Sequence, residues 1–157
     1  MPMPFIIFLL VVVVGIGAAR WLVPGLPWRR FAAVLSPLNI ALAVVGLLGL
    51  LLHCVAMFGG AWFAALPGMS GVASQITSAG LASVVWFVVP AVVLVFALRN
   101  QTPVVVGGIA LTLLAVGLTM FIRVPFALHL VAIFAFVAAV TFVFSALVVT
   151  SPKPTNA

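Results

Sequence analysis

His53, His129 and Arg123 have the widest chemical range of any side chains in this 157-residue chain, which contains neither Asp nor Glu. Imidazole changes charge near neutral pH and ligates metals, and guanidinium binds oxyanions through several hydrogen bonds. With no carboxylates, the chain lacks the usual general acids and bases, the usual proton carriers of membrane proteins and the oxygen ligands preferred by Ca and Mg. Three chemistries fit what is left. Two neutral histidines at equal depth on different helices would suit axial ligation of a haem, which makes His53 and His129 candidate cofactor ligands. Arg123 with the same two histidines would suit an anionic headgroup or substrate; the plainer reading is that Arg123 snorkels to the interface. Ser70, in the run GMSG, departs from G-x-S-x-G and has no carboxylate to orient a histidine, so it makes a poor nucleophile. Gly15 with Gly17 and Gly107 with Gly108 read as packing or bending glycines, because no phosphate-binding fingerprint accompanies them. Cys54, the single cysteine, lies in an apolar run and reads as a small buried thiol with no intramolecular disulfide.

The elements that must position these residues follow from composition. The chain is 68% hydrophobic and 4% charged, with a mean hydropathy of +1.56. Soluble domains carry about 25% charged residues, so the chain reads as an integral membrane protein. Its charge-free stretches are about 20 residues long, enough to cross about 30 Å of hydrocarbon as helices, and no alternating ten-residue pattern supports a barrel. The expected fold class is an all-α polytopic transmembrane bundle of about five spanning helices, a single membrane domain over 1–157 with no soluble domain. The helices are expected at about 4–19, 38–58, 79–98, 104–122 and 126–149, followed by a frayed polar tail at 150–157. The first segment lacks the basic start of a signal peptide and reads as a retained span. Pro90, central in the third span, predicts a kink and a freed Trp86 carbonyl. The uncharged segment 59–78 reads as a surface connection, with a re-entrant piece or a cover over a cavity as alternatives.

Orientation comes from the six basic residues. In a five-span topology Arg20, Arg29, Arg30, Arg99 and Lys153 share one side and Arg123 lies on the other. The positive-inside rule then puts the N-terminus outside and the C-terminus in the cytoplasm. Trp21 and Trp28 lie at the depth where indoles favour the headgroup boundary, and Arg29 and Arg30 are candidate contacts for anionic lipid or an acidic partner. Six scattered charges do not form a basic patch, so nucleic acid is not an expected partner despite a sequence pI near 12.0. His53, about 7 Å below the outer end of its helix, shares its depth with His129 and Arg123, which defines an expected outer-leaflet polar cluster.

Helix association inside lipid depends on close approach through small residues and on interhelical hydrogen bonds. Helical spacing therefore predicts packing stripes at Asn39, Gly46, Gly49, His53 and Ala56, at Gly108, Thr112, Ala115 and Thr119, and at Ala132, Ala135, Ala139 and Ala146. The functional expectation is a non-catalytic accessory or structural subunit of a larger membrane assembly, with lipids and partner subunits as its contacts and no cofactor. A small permease or lipid-handling component is the alternative, and a haem-binding subunit the next. An Ala-, Val- and Gly-rich composition with one Lys and no Tyr fits a GC-rich bacterium, and so an inner-membrane location.

Overall fold

The computed structural model describes Val14, Ala18, 34–122 and 124–150, all of it helix and connection with no strand among the described residues. The elements are α1 (Pro37–Phe58), α2 (Gly60–Ala64), α3 (Ser70–Thr77), α4 (Leu81–Ala97), α5 (Pro103–Phe121) and α6 (Phe126–Thr150). The expected span over 4–19 and the tail at 150–157 fall, almost entirely, outside the described residues. Helices appear within about two residues of the ends expected for the four later segments; Pro37 and Pro103 open two of them, where a missing N–H costs nothing.

Among the described residues three helices, Pro37–Phe58, Pro103–Phe121 and Phe126–Val143, are long and apolar enough to cross a membrane. A fourth crossing results if α3 and α4, bent by 99° at their junction, are taken as one broken span. By itself α4 has 17 residues, the lower end of what about 30 Å of hydrocarbon requires.

The helices fall into two compact units, α1 to α4 and α5 with α6. In the first unit α1 and α4 pack antiparallel with very close backbones. A Cβ on Gly49 would lie 2.6 Å from Pro90 Cβ, and one on Gly46 would lie 2.9 Å from both Leu94 Cβ and the Pro90 carbonyl oxygen. Only glycine fits at either position. His53 meets Phe87 one turn further on, so the pairs 46–94, 49–90 and 53–87 share one register, which places Ser83 opposite Ala56. The stripe expected on this helix is the packing face: Asn39, Gly46, His53 and Ala56 are buried, joined by Ala43 and Leu50.

The segment after α1 folds as a helical cap. Chain reversal uses Leu66–Pro67–Gly68–Met69, in which Met69 N–H donates to Leu66 O at 3.1 Å and Gly68 has φ 77°, the pattern of a type II turn. This brings Phe63, Ala73 and Ile76 onto Ala56, in a core flanked by Leu52, Val55 and Trp86. The sharp bend follows: Ala79 takes φ 52°, a left-handed conformation unusual for a residue with a Cβ, and Gly80 starts α4. Helix α4 then runs through Pro90 without a break, so the sharpest change of direction here lies at Ser78–Gly80, not at the proline.

In the second unit α5 and α6 form a hairpin. Its buried stripe on α5 is Val105, Ile109, Leu113 and Val116. The expected row is therefore corrected at Gly108, whose Cβ position meets nothing within 4 Å. On α6, Ala132 is buried with Ile133 and Val143, whereas Ala135 is exposed. Branched aliphatic residues provide the contact where small ones were expected.

Candidate functional site

Besides the buried Asn39 and Gln101, two polar places among the described residues involve the histidines. In the first, His53 and Ser83 lie beneath the cap with 1% and 0% of their surfaces exposed. The imidazole meets Phe87 edge-on, with ring centroids 5.6 Å apart and planes at 63°. Such an edge-to-face contact is worth about 0.5–1.5 kcal/mol beyond area burial. Ser83 Oγ has no hydrogen-bond partner among the described residues, and an unsatisfied buried hydroxyl costs on the order of 1–3 kcal/mol. The unit thus keeps Ser83 as a buried polar side chain facing α1, where an apolar residue of similar size would pack at lower cost.

The cap is held over this place by one polar bridge, Trp86 Nε1–H donating to Gln75 Oε1 at 3.0 Å. Three hydroxyls of α3 and its C-cap are used locally: Thr77 donates to Ala73 O, Ser74 to Gly71 O and Ser78 to Gln75 O, each at 2.8 Å. Ser70 opens α3 and is exposed. Gly60 lies against Thr77, where a Cβ would come within 3.0 Å of Cγ2, which closes α2 on α3.

The second polar place is in the α5–α6 hairpin. Thr119 Oγ1 lies 2.9 Å from His129 Nδ1, and its hydroxyl donates to Ala115 O at 2.7 Å. Thr119 Oγ1 and His129 Nδ1 thus share a hydrogen bond between α5 and α6 whose direction follows the imidazole tautomer. His129 is half-buried, and its backbone N–H reaches Pro125 O at 3.4 Å. Thr112 likewise returns its hydroxyl to its own helix, at Ile109 O. Thr112, satisfied in this way, does not mark a polar interhelical contact, whereas Thr119 does.

His53 belongs to the first unit and His129 to the second, and each has its own neighbours. Arg123, Arg29 and Arg30 lie outside the described residues. The His53 ring packs edge-on against Phe87, and α1 and α4 are in close contact one turn away at Gly49 and Pro90. No group of three or more His, Cys, Asp or Glu that would hold a metal ion occurs among the described residues.

Ser83 and the Trp86–Gln75 bridge went unseen in the sequence. The Thr119–His129 pair carried a usable signal, since both residues are five positions from Val124 at the centre of a short turn. Comparison with protein families, curated proteins and solved structures finds no match to this chain.

Proposed function

We propose that this protein is a non-catalytic integral membrane protein that serves as an accessory or structural subunit of a larger membrane assembly. One observation carries the reading. In the three long spans, only 28%, 22% and 17% of the residues in the most apolar stretch are buried within the chain. Large apolar side chains such as Leu48, Leu51, Leu111, Leu114 and Val131 are exposed instead. Helices that bury so little of themselves in their own chain obtain most of their contacts from lipid and from neighbouring proteins. The absence of carboxylates points the same way, because it removes most side chains that would run a reaction or a proton path.

In this reading the chain spans the inner membrane of a bacterium five times, with its N-terminus outside. Arg29 and Arg30 anchor the cytoplasmic side against anionic lipid or an acidic partner, and the cap over 59–80 faces outward. Reporter fusions test the orientation: cytoplasmic readout at Arg30 and after Lys153 with outside readout at Ser70 is required. Native electrophoresis of a mild-detergent extract tests the subunit role, which requires co-migration with larger membrane proteins.

The second reading, a lipid-handling or permease component, draws on one feature, an open apolar groove of about 300 Å³ between α1 and α4. Solute movement by the purified chain in liposomes would favour it over the first.

A further inference from the structure

The cap between α1 and α4 is built as a separable piece. In its core Phe63, Ala73 and Ile76 belong to the cap itself, and Ala56 alone belongs to the helices below. Gly60 closes on Thr77, so α2 and α3 pack on each other without help from α1. Their seat is that alanine, flanked by Leu52, Val55 and Met57 of α1 and by Trp86 of α4. Alanine offers little area for such a contact.

Both necks that join the cap to these helices contain glycine: Gly59 and Gly60 follow α1, and Gly80 precedes α4. The second neck is strained. Ala79 has φ 52°, which is unfavourable for a residue with a Cβ. The hydrogen bonds around it are long, Ala79 N–H to Ile76 O at 3.3 Å and Gly80 N–H to Ser78 Oγ at 3.5 Å. The bridge from Trp86 to Gln75 is exposed, so water competes for both of its partners.

The residues beneath the cap also favour opening. Ser83, which faces Ala56, is wholly buried, and its Oγ has no hydrogen-bond partner among the described residues. Lifting the cap gives that hydroxyl water and lets Ala79 leave the left-handed region, so two unfavourable features of the closed form disappear together. His53 lies about one turn deeper along α1.

We propose that residues 59–80 form a hinged lid over Ser83 and His53, turning at 59–60 and 78–80 and opening as one piece. The α1–α4 crossing stays intact beneath it, because Gly46 and Gly49 keep the two backbones in close contact on the far side of His53. The open form admits water and small polar solutes to Ser83 first and then to His53. The lid goes beyond the subunit reading and does not depend on it.

The test follows a thiol placed at position 83 of the full chain in lipid nanodiscs. Cys54, the single native cysteine, is replaced by alanine, and either Ser83→Cys or Leu94→Cys is introduced. Leu94 is equally buried but lies in the α1–α4 crossing. A charged, membrane-impermeant thiosulfonate is expected to label position 83 and to leave position 94 unlabelled. Adding Gln75→Ala is expected to speed labelling at 83 about two- to tenfold, and Ala79→Gly to slow it about two- to fivefold. Should Ser83→Cys disturb the fold, amide exchange over 70–78 in the chain without a cysteine substitution is expected to follow the same order. Labelling at 83 that is absent, that matches labelling at 94, or that is unmoved by both cap substitutions would overturn the lid. Exchange over 70–78 that keeps step with exchange over 43–50 at the glycine crossing would overturn it too, because the cap then opens only with the whole unit.

Discussion

Substituting Gly49 by alanine tests the packing of the first unit most sharply. The new methyl carbon would lie 2.6 Å from Pro90 Cβ and 3.0 Å from Pro90 Cγ, whereas carbon atoms in good contact are about 3.5–4.0 Å apart. The deficit is about 1 Å, and the pyrrolidine ring has no rotamer by which to move aside. Helices α1 and α4 must therefore separate, and a gap of that size forfeits about a quarter to a half of each contact at 0.1–0.2 kcal/mol per atom pair. Over roughly twenty pairs this is about 1 kcal/mol, and overpacking strain raises the loss to about 1–3 kcal/mol. Alanine regains up to about 1 kcal/mol of helix propensity, so the net destabilisation is about 1–2 kcal/mol. Gly108→Ala gains the propensity and meets nothing within 4 Å, so it is neutral or stabilising. Unfolding of the detergent-solubilised protein against increasing SDS, followed by tryptophan emission and circular dichroism, reads both. Equal unfolding midpoints for the two variants would refute the close helix crossing.

Three further outcomes follow from individual contacts. Ala79→Gly relieves a left-handed residue at φ 52° and is expected to stabilise the cap by about 0.5–1 kcal/mol, while Ala79→Val destabilises it; the thermal midpoint of each variant checks this. Gln75→Ala removes the acceptor of the Trp86 indole and is expected to cost about 0.5–1.5 kcal/mol, with faster amide exchange in α3 as a readout separate from global stability. Thr119→Val removes the oxygen that faces His129 Nδ1 and is expected to cost about 0.6–2 kcal/mol, with a changed ¹⁵N chemical shift of the imidazole marking the lost hydrogen bond.

The long apolar helices were legible because apolar length and proline positions indicate them almost alone, as at Pro37 and Pro103. The packing stripe of α1 was legible for a second reason: its glycines face a proline ring and a backbone carbonyl, where no side chain fits. The same rule failed on α5, where Val105, Ile109, Leu113 and Val116 make the contact and Gly108 is exposed. A small residue marks a packing face only where another backbone comes close, and one sequence does not show where that happens. The cap was hidden because Phe63, Ala73 and Ile76 are too few and too widely spaced to show a helical period, and their common core forms only after the Pro67–Gly68 turn. At the candidate site, burial of His53 followed from its stripe. Ser83 gave no signal, since a serine in an apolar helix ordinarily bonds its own backbone.

The most direct test of the subunit reading is the mass of the native particle in mild detergent with its polypeptides identified. A stable species in which this 16.3 kDa chain co-migrates with larger membrane proteins, and from which charge reversal at Arg29 and Arg30 releases it without unfolding, is the predicted result. A monodisperse monomer or homo-oligomer that moves a solute in liposomes would contradict it.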